Sequence, residues 1–270
     1  SQNQIFRKKE MKWARIQVDN RVSHGIVEKD QICLVEGGIF DKINFTGQKV
    51  QIENANFLTP IEPKTFYAAG LNYAEHVIEQ ALANNREPNI PDEPHIGYRA
   101  NNALIAHNES IIKPSDSSEE FQYEGELVAI IGKEAKNISE DEALDFVFGY
   151  TIGNDVSERK WQRDDRTMWR AKNTDTFKPM GPWIETDVNL DKLITTVRLN
   201  NIETISFPTN SMIFGVARFI SAMSRYLTLV PGDMIWMGTE GHSKNMKAGD
   251  ICEIEINEIG TLRNPIIMGN

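Results

Sequence analysis

The sequence has few cysteines and no long hydrophobic run. Its two cysteines, Cys33 and Cys252, are too few and too distant for a disulfide framework or a Cys-x-x-Cys site. We expect both to be small buried side chains in a protein of the reducing cytoplasm. No apolar stretch is long enough to span a bilayer, and none near the start has the form of a secretory signal. These absences predict a cytoplasmic protein without a membrane partner.

Positive charge is also scarce. The 270 residues include 29 Lys and Arg against 39 Asp and Glu, a formal net charge of −10. Such a chain repels nucleic acids and anionic membranes, so we expect neither as the main partner. With 40% hydrophobic and 25% charged residues, the composition is that of an ordinary globular protein. The length allows one large domain, or one large and one small.

Short β-type runs outnumber helical patterns, which predicts a mainly β (α+β) fold with a few peripheral helices. Pro60 and Pro63 form a stiff junction, so we predict a small β-rich N-terminal domain at 1–60 and a catalytic domain at 61–270. The N-terminal strands are predicted at 14–18, 25–27, 31–35, 38–40 and 49–52.

Beyond the junction, three helices are predicted from their caps and apolar spacing. Asn72 predicts a cap for a helix at 72–79, and Ser139 with Glu142 forms a capping box for a short helix ending at Phe146. Apolar residues at helical spacing predict a helix at 211–227. Strands are predicted at 65–70, 234–237 and 251–256.

Three acidic residues carry most of the chemical information. Glu124 and Glu126 lie two apart in Y-E-G-E-L-V-A-I-I-G, so both point to one face of a buried strand. Asp155 ends a second apolar stretch, where a strand would pass into a loop. Unpaired like charges at the edge of an apolar core are costly, so a cation is expected between them.

Three carboxylates without a nearby Cys or His suit a hard divalent cation, Mg²⁺, Mn²⁺ or Ca²⁺, better than zinc. The alternative is a structural calcium site or solvated charges at a strand edge. A second candidate group is His76 with Glu79, which lie three apart and so share one face of a helix. The plain alternative is a weak surface pair.

Six segments in order resemble the fumarylacetoacetate hydrolase family, which includes acylpyruvate hydrolases and 5-carboxymethyl-2-hydroxymuconate isomerases. The resemblance spans about residues 60–267. Its segments are G-L-N-Y-A-E-H-V-I-E, Y-E-G-E-L-V-A-I-I-G, G-Y-T-I-G-N-D-V-S, A-K-N-T-D-T-F-K-P-M-G-P-W-I, V-P-G-D-M-I-W-M-G-T and a degraded G-I-G-T-L-R-N-P at 258–265.

The resemblance implies a twisted β-roll catalytic domain, usually a homodimer, acting on small 2-oxo or 2,4-dioxo acids. It implies a divalent metal held by the three carboxylates, a His76–Glu79 dyad, and a catalytic Lys172. It further implies that the substrate contacts Arg99, Arg159, Gln162 and Thr239. Three residues depart from the usual family pattern near the pocket, namely Arg99, Lys160 and Glu240, so the substrate's identity stays open.

The chemistry expected from these residues is metal-dependent hydrolysis of a C–C bond in an acylpyruvate-like acid. The metal would orient the 2-oxo acid and stabilise the enolate that cleavage leaves, while Glu79 orients His76 to activate water. Lys172 would donate to a developing oxyanion or to the substrate carboxylate. The alternatives are an isomerase, tautomerase or decarboxylase of a hydroxymuconate-like dicarboxylate, and a non-catalytic calcium-binding β module.

Overall fold

The computed structural model describes residues 10–270, and most of its regular structure is β-strand. The strands are β1 (Lys12–Val18), β2 (Arg21–Glu28), β3 (Gln31–Val35), β4 (Phe45–Gln51), β5 (Asn56–Phe57), β6 (Phe66–Ala69), β7 (Ile96–Tyr98), β8 (Leu104–Ile105), β9 (Ile111–Lys113), β10 (Phe121–Gln122), β11 (Gly125–Ile131), β12 (Val147–Asn154), β13 (Ser157–Glu158), β14 (Lys178–Glu185), β15 (Ile194–Leu199), β16 (Ile202–Pro208), β17 (Met234–Trp236), β18 (Ile251–Ile256) and β19 (Gly260–Met268). The α-helices are α1 (Ala74–Ala83), α2 (Glu140–Ala143), α3 (Arg159–Asp164), α4 (Trp169–Asn173) and α5 (Val216–Ser224).

Most strands belong to one large sheet with the order β4-β3-β2-β1-β14-β12-β11-β17-β6-β7, in which β5 also pairs with β1 and β8 with β14. A second sheet has the order β16-β15-β18-β19-β9, and β10 pairs with β13 alone. Strand β11 lies near the centre of the large sheet, between the antiparallel strands β12 and β17.

Central strand β11 is buried on both faces, which explains its continuous apolar run. On one face, Leu127 and Ala129 belong to a core shared with the second sheet and α5. On the other face, Val128 and Ile130 pack in a core that includes Trp13 of β1. A strand held from both sides is a rigid support for the acidic residues at its beginning.

The N-terminal strands β1 to β4 are joined to the rest of the chain through the large sheet, because β1 pairs antiparallel with β14 at Lys12–Glu185 and Trp13–Ile184. The division at residues 60 and 61 therefore falls in a connection between strands of one sheet and stays a prediction. Among the described residues, no helix is long and apolar enough to cross a membrane.

Several predicted elements differ from the structure. Residues 38–40 form a turn instead of a strand, because Gly37 has a φ of 75° and the Asp41 carboxylate accepts the Gly38 N–H at 2.7 Å. Helix α5 begins at Val216, five residues after the predicted start, although its apolar stripe is buried as expected. The predicted helix through residue 146 continues beyond α2 as a 3₁₀ turn.

The predicted Asn72 cap is a further difference. Helix α1 has Tyr73 at its N-cap position, and Tyr73 makes no side-chain cap hydrogen bond. Asn72 instead donates its side-chain N–H groups to the carbonyls of Phe214 and Met237, each at 2.9 Å, and accepts the Phe214 N–H at 2.9 Å. The side chain thus ties the beginning of α1 to two distant segments.

Candidate active site

The three predicted acidic residues converge. Glu124 directly precedes β11, Glu126 lies on it, and Asp155 directly follows β12, its antiparallel neighbour. One carboxylate oxygen from each residue lies within 4.8 Å of the others, and all three residues are buried. Two oxygens bound to one ion are at most about 4–5 Å apart, twice a normal metal–oxygen bond, so the spacing fits one divalent cation.

Four basic side chains surround the acidic cluster. Lys172 on α4 lies 2.9 Å from Glu124 Oε1 and 3.5 Å from Asp155 Oδ2. Further ion pairs join the cluster to three more cations, namely Arg159–Glu124 at 3.0 Å, Arg99–Asp155 at 3.1 Å and Lys178–Asp155 at 2.9 Å. The basic side chains thus concentrate on Glu124 and Asp155.

The three carboxyl groups consequently differ in pKa. Burial alone would raise the pKa of Glu124, but Lys172 and Arg159 outweigh it and lower that pKa. The pKa of Asp155 is lowered in the same way, because Arg99, Lys172 and Lys178 outweigh burial and hold it well below the usual value. By contrast, burial together with the neighbouring Asp155 and Glu124 raises the pKa of Glu126 well above normal.

Glu126 is therefore the acidic group that the basic side chains compensate least. One of its oxygens accepts the backbone N–H of Gly238 at 3.1 Å. A divalent cation among the three oxygens would remove the cost of ionising Glu126. The oxygen donors, their spacing and the weak compensation of Glu126 all fit Mg²⁺ or Mn²⁺, with Ca²⁺ as the larger alternative.

His76 lies beside the acidic cluster and is buried. Its Nδ1 lies 3.0 Å from the Gly241 carbonyl oxygen, and its Nε2 lies 3.9 Å from Glu124 Oε1. A carbonyl can only accept a hydrogen bond, so Nδ1 carries the proton and Nε2 keeps its lone pair when the ring is neutral. Burial lowers the pKa of His76 despite the nearby Glu124, which favours that neutral form.

The predicted contact between Glu79 and His76 is not formed. The carboxylate of Glu79 lies 3.5 Å from Nδ1 of His242, on an exposed side of helix α1. His76 and Glu79 do share the helix, as their spacing predicted. However, both ring nitrogens of His76 face other groups, and the orienting contact comes from the Gly241 carbonyl.

Of the predicted substrate-binding residues, Arg159 and Gln162 adjoin the cluster together. Arg159 Nη1 donates to Glu124 and to Gln162 Oε1 at 3.0 and 2.9 Å, and its Nε donates to Gln122 at 2.9 Å. Its other terminal nitrogen, Nη2, is buried and has no hydrogen-bond partner among the described residues. A buried donor without a partner is costly, so this atom is ready for an acceptor on a ligand.

Arg99 and Thr239 also lie at the cluster's border. The Arg99 guanidinium makes two hydrogen bonds to Asp155, at 3.3 and 3.1 Å. Thr239 is buried and follows Gly238, whose N–H holds Glu126. The structure thus brings every predicted site residue except Glu79 to the same place.

Lys178 was not predicted. It is fully buried at the start of β14, and its ammonium group donates to the carbonyls of Val156 and Phe177 at 2.8 and 2.9 Å. Burial lowers its pKa to about 8, although Asp155 acts in the opposite direction. A signal was present in the sequence, because Lys178 is the only charged residue in the apolar run 177–183.

A cavity of about 700 Å³ lies beside the cluster. Its lining includes the exposed aromatic rings of Tyr98 and Trp169, together with Arg99 and Asn173. None of the three acidic residues lines it. Arg99 connects the cavity with the acidic cluster, because it lines the cavity and its guanidinium group pairs with Asp155.

Comparison with known proteins assigns the chain to a family. Residues 65–267 match the model for the C-terminal domain of fumarylacetoacetate hydrolase, and residues 11–60 match an N-terminal model described as Rv2993c-like. The chain belongs to the fumarylacetoacetate hydrolase family, as the sequence motifs predicted. The mainly β fold with a β-rich N-terminal part is likewise confirmed.

Relatives in this family are named for different reactions. A fumarylacetoacetate hydrolase domain-containing protein 2 homolog from Dictyostelium discoideum is 38% identical, over 83% of this chain and 78% of its own length. A 2,4-didehydro-3-deoxy-L-rhamnonate hydrolase from Sphingomonas sp. is 38% identical, over 74% and 72%. A mitochondrial oxaloacetate tautomerase from Xenopus laevis is 35% identical, over 79% and 69%.

Solved structures agree on the fold. A 5-carboxymethyl-2-hydroxymuconate delta-isomerase from Mycobacterium smegmatis has a TM-score of 0.86 and 33% identity, covering 96% of this chain and 100% of its own. A maleylpyruvate hydrolase from Sphingobium, solved with manganese(II) and pyruvate, has a TM-score of 0.78 at 22% identity, with the same coverage. Members of this family are thus hydrolases, isomerases and tautomerases of small organic acids.

Proposed function

We propose that this protein is a divalent-metal-dependent enzyme that hydrolyses a C–C bond in a small 2,4-dioxo acid. The observation that carries the proposal is the buried cluster of Glu124, Glu126 and Asp155, spaced for one cation. Mg²⁺ or Mn²⁺ held there would supply Lewis-acid chemistry, polarising the substrate's keto group. The chain's own residues provide the remaining functions.

The basic residues bind and orient the acid. Four cationic side chains face three carboxylates, so with a divalent ion the site has an excess of positive charge that favours an anionic substrate. The free Nη2 of Arg159 is the donor best suited to a substrate carboxylate or keto oxygen. The ammonium group of Lys172, buried beside Glu124, can donate to a developing oxyanion.

His76 is the proposed base. Its proton-free Nε2 faces the acidic cluster, and the Gly241 carbonyl fixes the ring orientation at Nδ1. In this position Nε2 would accept the proton of the attacking water and return it when the product leaves. Glu79 could join only after its side chain leaves His242, so we propose it as a secondary partner of the reaction.

A second reaction, keto–enol tautomerisation of a 2-oxo dicarboxylate, is favoured by one observation. Glu79 contacts His242 instead of His76, so the pair that would specifically support water activation is not assembled. A lone base beside a metal suffices to move one proton between carbon and oxygen. Isomerisation or decarboxylation of such an acid would use the same groups.

The test is turnover of a panel of 2,4-dioxo and 2-oxo acids with Mn²⁺, Mg²⁺ or a chelator, followed by product mass. Hydrolysis gains the mass of one water and releases a 2-oxo acid such as pyruvate, whereas tautomerisation changes no mass. We expect pyruvate release that stops with the chelator. Turnover indifferent to the chelator would contradict the proposal. Thermal stabilisation by Ca²⁺ alone, without turnover, would favour the calcium-binding alternative.

We also propose a homodimer, on the strength of the family resemblance. Light scattering of the purified protein should then give about twice the chain mass of 30.7 kDa. A mass equal to that of one chain at micromolar concentration would exclude the dimer.

A further inference from the structure

The segment at residues 237–241, directly after β17, contacts both the acidic cluster and helix α1. Gly238 donates its N–H to Glu126 Oε2 at 3.1 Å. The Met237 carbonyl accepts from the Asn72 side chain at 2.9 Å, just before α1. The Gly241 carbonyl faces His76 Nδ1 at 3.0 Å. One short segment therefore touches a predicted metal ligand and the predicted base.

The Glu240 carboxylate adds a contact of a different kind. Its Oε1 accepts the backbone N–H of His76 at 3.1 Å and that of Gly241 at 3.0 Å. The backbone N–H of Glu75 also acts on the Glu240 carboxyl group, in the direction that lowers its pKa. His76 and Glu75 belong to the first turn of α1, whose N–H groups have no partner within the helix. Glu240 thus performs the function of an N-cap from a distant part of the chain.

Helix α1 needs such a partner. Its own N-cap residue, Tyr73, provides no side-chain acceptor. The helix has ten residues, too few to be stable alone, and its first turn carries a partial positive charge that favours an anion. Glu240 supplies the side-chain acceptor that Tyr73 lacks.

We propose that Glu240 is a positioning residue that holds the first turn of α1 and thereby places the His76 ring beside Glu124. Two atoms fix His76 from this segment, namely Glu240 Oε1 at its backbone N–H and the Gly241 carbonyl at its ring. The catalytic consequence rests on the proposed function, whereas the contact with the helix does not.

The first test measures α1 without any substrate. Hydrogen exchange of the peptide covering α1 is compared between the wild type, Glu240→Ala, Glu240→Gln and the control Glu134→Ala, an exposed glutamate after β11. We expect exchange about tenfold faster in Glu240→Ala, because a lost cap favours local opening by that factor. Glutamine keeps a side-chain oxygen acceptor and should restore most of the protection. Unchanged exchange in Glu240→Ala would overturn the proposal.

The second test separates positioning from general damage. In Glu240→Ala we expect kcat to fall about tenfold with KM and Mn²⁺ affinity within about twofold of wild type, and glutamine to recover the rate. Faster exchange with an unchanged kcat would show that Glu240 does not position His76, as would a parallel loss of Mn²⁺ affinity. If the wild type turns over no tested acid, the proposed function fails, and the exchange result still decides the contact of Glu240.

Discussion

Glu126 shows how the residues of the site divide their roles. Lys172, Arg159, Arg99 and Lys178 bind Glu124 and Asp155, whereas Glu126 is held by one backbone N–H. Burial, together with the two adjoining carboxylates, raises the pKa of Glu126, so a divalent ion bound next to it has a defined electrostatic function.

Replacement of His76 separates base catalysis from metal binding. We expect His76→Ala to lower kcat by roughly 10²–10⁴-fold, the usual loss when a general base is removed. Mn²⁺ affinity should stay nearly unchanged, since His76 is not part of the group of converging ligand atoms, which comes from Glu124, Glu126 and Asp155. Steady-state kinetics and a Mn²⁺ titration on the same preparation measure both. Equal loss of rate and affinity would make His76 a metal ligand.

His107 predicts a pH dependence of stability. Burial, and secondarily Arg263, lowers the pKa of His107 from 6.5 to about 4, and its Nδ1 accepts the Arg263 N–H. The unfolded chain takes up a proton below pH 6.5, while the folded protein does so only near pH 4. Stability is therefore lost as pH falls through that interval, by about 2 kcal/mol after allowance for the ring's partial exposure.

The measurement is urea unfolding at pH 7 and pH 4.5 of the wild type and His107→Asn, whose side-chain oxygen can accept the same N–H. The variant should lose less stability between the two pH values. The exposed His95→Asn should behave as the wild type does. An equal loss in all three proteins would refute the assignment to His107.

Sequence reasoning named most of the residues that the structure brings together, but not their contacts. A period of two placed Glu124 and Glu126 on one face of a strand, which is a property of any strand. The helical spacing of His76 and Glu79 was correct as well. The helical spacing could not reveal that Nδ1 of His76 would hydrogen-bond to the Gly241 carbonyl, which lies far along the chain. Lys178 was missed because a single lysine in an apolar run has no local partner that identifies it.

Among the elements, β12 and β17 make a close contact near the acidic cluster, between a glycine and a tryptophan ring. They flank β11, and Gly153 of β12 lies so near Trp236 of β17 that a Cβ atom would be 2.6 Å from the indole ring. Gly153 is next to Asn154, whose side chain accepts the Glu124 N–H at 3.1 Å. Gly153 also pairs with Glu126 across β11 and β12, so the close contact with Trp236 lies next to a predicted metal ligand.

We expect Gly153→Ala to lower the free energy of unfolding by about 1–3 kcal/mol, because the added methyl group must displace a ring packed inside the sheet. Chemical denaturation measures the loss. Gly97→Ala in β7 is the matched control, since a Cβ atom there would meet only the Ala68 carbonyl oxygen, at 4.0 Å. If both variants were equally stable, the packing of Trp236 would be looser than described.

Helices and strands were predicted well where the sequence signal lies within the element itself, and poorly where it depends on distant residues. The strand predicted at 251–256 has the same bounds as β18, because the alternation of buried and half-buried residues lies entirely within the strand. The start of α5 was predicted too early, since residues 213 and 214 bond to Asn72 across the fold. Caps and starts that depend on distant partners leave no local pattern.

At the scale of the whole molecule, the net charge of −10 contrasts with the local excess of basic side chains at the cluster. The family and the mainly β fold were evident from ordered motifs and short strands. The order of strands in the large sheet was not, because β1 joins β14 and β6 joins β17 across long stretches of sequence.

Calorimetric titration with Mn²⁺ tests the central claim most directly. The account predicts about one Mn²⁺ bound per wild-type chain, and binding at least roughly tenfold weaker in Glu126→Gln, which keeps the side-chain shape but loses the charge. Glu134→Gln, at an exposed position, should bind as the wild type does. A wild type that binds no Mn²⁺, or that binds it no better than Glu126→Gln does, would contradict the account.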